Sequence, residues 1–344
     1  MAQAWLVQLS GEHPTLPAAE LQALLAVHAP GAEAELPHPR VAIVQGAPGI
    51  EAALARMALA HAWGPYLASA PDDEAGIASL AQMVAPQVPA GSIAVERERL
   101  GGKQIRTTPG ARRTIGGALA DAGHAVDLKA PEYRIRLLAD GEQLHAFLVA
   151  GEVDRGRFEG RIAERKEHFS PVTLHPRRAA SLLHLARVPP GGRAYDPFCG
   201  TGTFLIEATL EGLEAWGSDL DPFMVQGTLQ GLADAAPEPL AGTAFQGDVE
   251  GACALMAEVD GIVSDLPYGR ASTTDGEGVG DLYRRACLAM ADLLAPGGRA
   301  VLGCAQADLL RAAAEASGAF DLVEEHAEFV HRSLTRHYLV LRRR

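Results

Sequence analysis

Cysteine is scarce in this sequence, and both a long apolar run and a basic N-terminal segment are lacking. The four cysteines are scattered without the paired spacing of a zinc site or a disulfide framework: Cys199, Cys253, Cys287 and Cys304. We therefore interpret them as small core residues. No stretch approaches the ~18 apolar residues that a membrane span needs, and no secretory signal is recognisable. These absences predict a cytoplasmic protein with no membrane segment and no metal site.

Negative charge predominates, which at first argues against a nucleic-acid binder. The formal net charge is −13, whereas contacts with phosphate groups need Lys and Arg. The average conceals an asymmetry, because residues 91–190 hold 17 of the 30 Lys and Arg residues and 12 of the 43 acidic residues. That segment carries +5 and the remainder −18. A local basic face can therefore bind RNA while the acidic remainder favours solubility.

Length and apolar patterning predict several α/β domains. A chain of 344 residues exceeds the usual size of one domain, so we expect two or three. Residues 1–60 show a strand around Trp5, a helix over Ala18–His28, a strand over Arg40–Val44 and a helix over Ile50–His61. This strand–helix–strand–helix order predicts a small α+β domain.

A second α+β domain is predicted over residues 61–150. The pattern indicates helices over Ile77–Val84 and Pro109–Ala122, strands over Ser92–Arg97 and Ala125–Leu128, and a hairpin that joins Tyr133–Leu138 to Gln143–Val149. Residues 151–190 lack clear periodicity and are predicted to be a connector. From residue 191 to residue 344, strands and helices alternate, which is typical of a parallel sheet with crossover helices. A helix over Leu282–Leu294 and an antiparallel pair, Leu322–His331 with His337–Leu341, close this domain.

The strongest local motif is a strand, a glycine-containing turn and a helix at residues 194–208. The strand ends in Asp196, and Gly200 and Gly202, on either side of Thr201, let the backbone approach a ligand without a Cβ in the way. The following helix presents free N–H groups. A dinucleotide site would have a third glycine and bind a pyrophosphate. Because an acidic residue leads here, the turn favours a cationic ligand, such as the ammonium of a methionine moiety.

Further acidic residues end the next two predicted strands. Asp219 lies where a doubly wound fold binds ribose hydroxyls, with Asp221 as the alternative, and Leu220 is included in this predicted cofactor site. Asp248 can accept a hydrogen bond from an adenine amino group while the N–H of Val249 contacts the ring. A single aspartate at a strand end more often caps a helix, but three in register favour a nucleotide-like cofactor.

The segment Asp265-Leu266-Pro267-Tyr268 indicates the reaction. An exocyclic amine on a base is a poor nucleophile, because its lone pair is delocalised into the ring. Asp265, beside the cofactor, and a main-chain carbonyl of Leu266 or Pro267 can accept the two amino hydrogens. Tyr268 can stack on the base. This pattern predicts methyl transfer to the amino group of a base.

These motifs resemble those of the archaeal-type tRNA guanosine-10 N2-methyltransferases, relatives of bacterial guanosine-6 enzymes. The similar segments read DPFCGTGTFLIEA, GSDLDPFMVQG and DLPYGRAS. Residues 155–176 resemble the linker and the start of the family's catalytic domain, and residues 126–132 resemble its THUMP domain, an RNA-binding module. The resemblance implies an α/β protein with a ferredoxin-like domain at 1–60, a THUMP domain at 61–150, a linker at 151–190 and a Rossmann-fold methyltransferase domain at 191–344.

The resemblance also implies roles for the site residues. The methionine end of S-adenosylmethionine would be lined by Asp196, Gly200, Thr201 and Gly202. Asp219 would bind the ribose and Asp248 the adenine, while residues 265–268 would hold a guanine of tRNA. The family usually reads D-P-P-Y, whereas Leu266 stands here at the second position. A leucine frees φ and adds an N–H, so we expect a less rigid loop.

Basic residues of the second domain are the predicted RNA-binding surface: Arg97, Arg99, Lys103, Arg106, Arg112 and Arg113. Modules of this kind read the backbone and shape of RNA more than its base edges. The alternative is an ordinary solvated face. We expect tRNA as the partner, and either a monomer or a chain accompanied by a small auxiliary protein.

Other functions remain compatible with the motifs. The same fold can methylate adenine N6 in DNA or guanine N2 in ribosomal RNA. A non-catalytic or partner-dependent tRNA-binding module can retain the fold as well. A nicotinamide-dependent dehydrogenase is disfavoured by the missing third glycine.

Overall fold

The structure, a computed structural model, describes residues 3–161, 174–235, 242–268, 278–332 and 334–344, except for the side chains of residues 103 and 252–254. The chain divides into two compact units, residues 1–153 and 154–344. Each unit contains its own sheet and its own apolar core.

The first unit is built on a nine-stranded sheet. Its strands are β1 (Trp5–Leu9), β2 (Glu33–His38), β3 (Val41–Gln45), β4 (Ala60–Pro71), β5 (Ser92–Arg99), β6 (Ala125–Val126), β7 (Tyr133–Ala139), β8 (Gln143–Leu148) and β9 (Gly151–Glu152). Its helices are α1 (Leu16–His28), α2 (Ile50–Arg56), α3 (Glu74–Val84) and α4 (Ala111–Asp121). The strand order is β2-β3-β1-β4-β8-β7-β5-β6, with β9 paired to β4.

Strand β4 connects the two halves of this sheet. It pairs with β1 on one side, where Trp63 lies opposite Val7, and with β8 on the other, where Ala68 lies opposite Ala146. Helices α1 and α2 bury their apolar residues in one core cluster, and α3 and α4 bury theirs in another. The predicted boundary at residues 60 and 61 falls at the first residue of β4, and the division into ferredoxin-like and THUMP domains stays a prediction.

The helix predicted over Ile50–His61 is too long. Helix α2 ends at Arg56, because the N–H groups of Ala58 and Leu59 donate to the buried carboxylate of Glu20, over 2.8 and 2.7 Å, instead of continuing the helix. The chain then enters β4. A contact from a distant helix therefore decides where the helix stops, and the apolar pattern alone could not show it.

The second unit alternates helices and strands. Its helices are α5 (Gly156–Glu159), α6 (Pro176–Leu185), α7 (Thr203–Leu210), α8 (Pro222–Ala235), α9 (Val249–Leu255), α10 (Val279–Leu293) and α11 (Ala307–Ser317). Its strands are β10 (Arg193–Asp196), β11 (Glu214–Asp219), β12 (Gly242–Gln246), β13 (Val259–Asp265), β14 (Leu294–Cys304), β15 (Phe320–His331) and β16 (Leu334–Arg343).

In the described part of the second unit, seven strands form one sheet in the order β12-β11-β10-β13-β14-β16-β15. The first five are parallel, and β16 is antiparallel to β14 and to β15. The predicted parallel sheet with a closing antiparallel pair is confirmed. The strand order reverses between β10 and β13, because β11 and β12 follow on one side of β10 whereas β13 and β14 lie on the other. Ligands of doubly wound sheets bind at such a switch point, outside the carboxyl ends of the strands.

Part of the predicted connector is a buried helix. Helix α6 contacts α7, and nine of its ten residues are buried. Its polar residues Arg177, Ser181 and His184 are buried together with its apolar ones, so the polar composition of this segment did not indicate a buried helix. Another part of the connector, residues 162–173, lies outside the described residues.

Three cysteines are buried and unpaired, Cys199, Cys287 and Cys304, which confirms their interpretation as core residues. The side chain of Cys253 is not among those described. None of the helices in the described part of the chain combines the length and the apolarity needed to cross a bilayer.

Candidate active site

The carboxylate of Asp196 lies at the carboxyl end of β10 and is 3% exposed. Its Oδ1 accepts hydrogen bonds from the hydroxyl of Ser264 at 2.6 Å and from the N–H of Phe198 at 3.0 Å. Ser264 belongs to β13, so this bond joins the two strands that flank the switch point. The leading aspartate of the glycine turn is therefore held in place before any ligand enters.

Asp219, at the end of β11, fixes the glycine turn from the side. Its Oδ2 accepts the N–H of Gly200 at 2.9 Å, and its Oδ1 accepts the N–H of Asp221 at 3.0 Å. The alternative ribose ligand, Asp221, instead accepts the N–H of Phe223 in the first turn of α8. Asp221 thus acts as a helix cap, which leaves Asp219 as the carboxylate that faces the turn.

The turn itself requires glycine. Gly200 and Gly202 have φ angles of +50° and +78°, a region that other residues rarely adopt. A Cβ at Gly202 would lie 2.7 Å from the side chain of Thr228, whose hydroxyl donates to the Gly200 carbonyl at 2.8 Å. Thr201, between the glycines, is buried. Helix α8 therefore packs directly against the turn, a contact that the sequence did not reveal.

Three carboxylates converge at this edge of the sheet. Burial, together with the negative charges of Asp219 and Asp265 and against two hydrogen bonds, raises the pKa of Asp196 to about 7. Burial likewise raises the pKa of Asp219 and of Asp265. A cation would relieve the repulsion among these carboxylates. This group of three carboxylates therefore fits a ligand that carries an ammonium and a sulfonium, as S-adenosylmethionine does.

Asp248 and Val249 lie where α9 begins. Asp248 caps this helix through Oδ1, which accepts the N–H of Gly251 at 2.9 Å, and its Oδ2 pairs with Arg285 at 2.9 Å. Val249 is fully buried. The carboxylate retains further acceptor capacity, since each oxygen has two lone pairs. Leu220 lies at the end of the neighbouring strand and is 47% exposed.

Asp265, Tyr268 and Arg336 form a closed ring of contacts at the end of β13. The hydroxyl of Tyr268 donates to Asp265 Oδ1 at 2.5 Å, and Arg336 Nε donates to the Tyr268 hydroxyl at 2.7 Å. Arg336 Nη2 lies 3.6 Å from Asp265 Oδ2. Burial raises the pKa of the Tyr268 phenol, so it stays a donor. Arg336, which lies on β16, was not predicted.

The loop at Leu266 is anchored, contrary to the expectation of lower rigidity. The N–H of Leu266 donates to the carbonyl of Gly303 at 2.8 Å, which prolongs the pairing of β13 with β14. Its side chain is 1% exposed within the main core cluster. The Pro267 carbonyl accepts the hydroxyl of Tyr283 at 3.1 Å. The N–H that replaces a proline ring is thus used as an anchor.

We expect the Leu266→Pro variant, which restores the usual motif, to be less stable than the wild type. Proline removes the N–H and leaves the Gly303 carbonyl without its donor, which costs about 1–3 kcal/mol. The matched control is Leu266→Val, because valine is close in size to proline but keeps the N–H. The difference between the free energies of unfolding of the two variants, measured in urea, reports the contribution of the hydrogen bond from Leu266 to Gly303. Equal free energies of unfolding for the two variants would contradict the anchoring role.

The predicted RNA-binding residues lie on the first unit. Arg99, Arg106, Arg112 and Arg113 are exposed. Arg97 instead pairs with the buried Asp72 at 3.1 Å and donates to the Thr108 carbonyl at 2.6 Å. Its guanidinium thus supports the fold. The side chain of Lys103 lies outside the described residues.

Comparisons with known proteins identify the family of this chain. The model of the RMKL-like methyltransferase domain matches residues 164–338. A tRNA (guanine(10)-N2)-dimethyltransferase of Methanothermobacter thermautotrophicus is 30% identical, over 98% of this chain and 99% of the relative. The chain belongs to the family of these tRNA (guanine(10)-N2)-dimethyltransferases. It is an S-adenosylmethionine-dependent methyltransferase, and the expected Rossmann fold of its catalytic unit is confirmed.

Two further proteins extend the comparison. A tRNA (guanine(6)-N2)-methyltransferase of Thermus thermophilus is 34% identical over 65% of each chain. The crystal structure of TrmN from Thermus thermophilus aligns with 99% of this chain and all of its own, at a TM-score of 0.59 and 28% identity. The likeness thus covers the first unit as well as the catalytic one. The similarity to methyltransferases excludes the alternative of a nicotinamide-dependent dehydrogenase.

Proposed function

We propose that this enzyme transfers a methyl group to the exocyclic N2 of guanosine 10 in tRNA. The observation that carries the proposal is the carboxylate of Asp265, placed at the switch point beside the carboxylates that fit the cofactor. The similarity to a tRNA (guanine(10)-N2)-dimethyltransferase along nearly both whole chains supports position 10 over position 6.

The residues of the loop hold the target amine. Asp265 accepts one amino hydrogen and receives that proton as the nitrogen gains the methyl group, which offsets the positive charge that develops there. The Leu266 carbonyl is the second acceptor, because that of Pro267 already binds Tyr283. Tyr268 stacks on the base once its hydroxyl has left Asp265.

The carboxylates of the glycine turn hold the cofactor. S-adenosylmethionine supplies an electrophilic methyl group when it is bound. Asp196, Gly200, Thr201 and Gly202 surround its methionine end. Asp219 and Leu220 contact the ribose, and Asp248 and Val249 contact the adenine. Because Asp196 is buried, its interaction with the charged end of the ligand is shielded from water and is therefore stronger.

The first unit supplies the RNA surface in this proposal. We assign residues 1–60 to a ferredoxin-like domain and residues 61–150 to a THUMP domain, with a linker up to residue 190 and the catalytic domain beyond it. The exposed arginines at 99, 106, 112 and 113 contact phosphates of tRNA, since they project into solvent. Lys103 completes this set, and the enzyme acts in the cytoplasm, alone or with a small auxiliary protein.

Methyl transfer from labelled S-adenosylmethionine to unmodified tRNA, ribosomal RNA and plasmid DNA tests the proposed substrate class. We expect label in tRNA alone, because the relatives that cover this chain are named for tRNA. Label in ribosomal RNA or DNA without label in tRNA would reject the proposal. No label in any acceptor, with intact binding of tRNA, would favour the binding-module alternative.

A further inference from the structure

Arg336 is a buried cation that faces the proposed reaction centre. The residue is 9% exposed. It lies on β16, opposite Glu328 of β15, and reaches the end of β13, where it contacts both Tyr268 and Asp265. Burying a guanidinium is costly unless a negative group compensates it, and Asp265 lies 3.6 Å away. The pair therefore forms part of the site and is more than a surface contact.

The other groups around Asp265 are neutral or negative. Asp196 faces it from β10, Tyr283 from α10, Cys304 from β14, and the Tyr268 hydroxyl from its own loop. Burial raises the pKa of Asp265, while the charge of Arg336 and then the hydrogen bond from Tyr268 lower it. Arg336 is thus the cation that favours the ionised carboxylate within the described part of the chain.

We propose that Arg336 is a positioning residue of the methyl-transfer site, which keeps Asp265 charged and holds the Tyr268 hydroxyl on it until the target base enters. The inference rests on the proposed function, because the entering group is taken to be a base amine. When the base enters, its amino group replaces the Tyr268 hydroxyl as the donor to Asp265 Oδ1, so the number of hydrogen bonds to this oxygen is unchanged. Arg336 keeps the carboxylate ionised until it receives the proton of the amine.

The hydrogen-bond network continues away from the site and fixes the surroundings of Arg336. The hydroxyl of Tyr338, the next residue but one on β16, donates to Glu328 Oε2 at 2.6 Å. Arg178 of α6 pairs with Glu328 at 2.7 Å. The strand that carries Arg336 is therefore tied to α6, so the guanidinium is held on a rigid element, as a positioning residue requires.

The test compares Arg336→Met, Arg336→Lys and the control Arg299→Met. Arg299 also lies in this sheet and is paired, with Glu324 at 3.3 Å, and its side chain is 13% exposed against 11% for Arg336. Single-turnover rates are measured from pH 6 to pH 9 at saturating S-adenosylmethionine. Removal of the cation should move the acidic limb of the Arg336→Met profile up by about 1–3 pH units. The rate at low pH should fall, by up to about tenfold for each unit of the shift, and recover at high pH.

Arg336→Lys should restore most of the loss, and Arg299→Met should follow the wild-type profile. Tyr268→Phe removes the hydroxyl but leaves the cation, so its acidic limb should move less than that of Arg336→Met. Binding of S-adenosylhomocysteine, followed by calorimetry, reports whether each variant is folded.

A pH-independent loss in Arg336→Met, an unchanged rate, or a larger shift in Tyr268→Phe would overturn the role of Arg336. A variant that loses the binding of S-adenosylhomocysteine would make Arg336 a structural residue and would equally overturn it. A wild-type enzyme that methylates no guanine would reject the proposed function instead, so the two failures are distinguishable.

Discussion

Replacement of Asp265 by asparagine should lower the rate of methyl transfer by about 10²–10³-fold. Asparagine keeps the shape of the side chain and its Oδ1 can still accept from Tyr268, but it carries no negative charge. The amino nitrogen becomes positive as it gains the methyl group, so the lost interaction is one that strengthens in the transition state. Affinity for tRNA should change by less than about threefold, because phosphate contacts dominate it.

Asp321→Asn is the matched control for this substitution. Asp321 lies on β15 and pairs with Arg342 and Arg344 at the exposed end of the same sheet. Rapid-quench measurement of a single turnover, with filter binding of tRNA, compares the two variants. A loss in Asp265→Asn that appeared only in the tRNA affinity would mean that Asp265 binds substrate without promoting the reaction.

Replacement of Asp196 by asparagine should weaken cofactor binding and stabilise the free enzyme above pH 7. Burial raises the pKa of Asp196 to about 7, against ~3.9 in an unfolded chain. A raised pKa means that the native state binds the proton more tightly, so this contribution to stability is complete below pH ~4 and is lost as the pH rises through 7. The loss amounts to at most about 4 kcal/mol.

Urea unfolding without cofactor at pH 5 and pH 8 measures this effect. The advantage of Asp196→Asn over the wild type should be larger at pH 8, because the asparagine has no charge to bury. The affinity for S-adenosylmethionine should fall about 10–100-fold, since a charge-assisted bond is lost. The control Asp321→Asn should show no gain at pH 8, because the Arg344 and Arg342 side chains hold the pKa of Asp321 below its usual range. An advantage of Asp196→Asn that is equal at both pH values would contradict the buried charge.

The strand-end aspartates could be located from the sequence for a physical reason. In a parallel sheet every strand ends at the same edge, so an acidic residue after each apolar run must lie near the others. Burial raises the pKa of Asp196, and the pairing of β10 with β11 and β13 brings Asp219 and Asp265 close enough for their charges to raise it as well. Their register follows from local pattern and needs no knowledge of distant contacts.

Arg336 could not be found in this way. It lies on an antiparallel strand, and its position opposite Tyr268 depends on the register of β14 with β16. Sixty-seven residues separate Tyr268 from Arg336 in the sequence, and neither local pattern nor motif relates them. Thr228 was missed for the same reason, because its contact with the turn depends on how α8 packs.

Strand β2 was missed because its pattern is atypical. It contains Pro37, which lacks an N–H and is confined to the edges of sheets, and most of its residues are exposed. The strand is indeed at the end of the sheet order. An edge strand of this kind has no alternation of apolar and polar residues from which it could be predicted, so only the pairing with β3 defines it.

Nucleoside mass spectrometry of two tRNA transcripts, one with guanosine and one with adenosine at position 10, tests whether the enzyme methylates N2 of guanosine 10. After incubation with the enzyme and S-adenosylmethionine, we expect N2-methylated guanosine in the first transcript and none in the second. N2-methylated guanosine at the same level in both transcripts would place the target elsewhere, and a methylated base other than guanosine would contradict the assignment of the site.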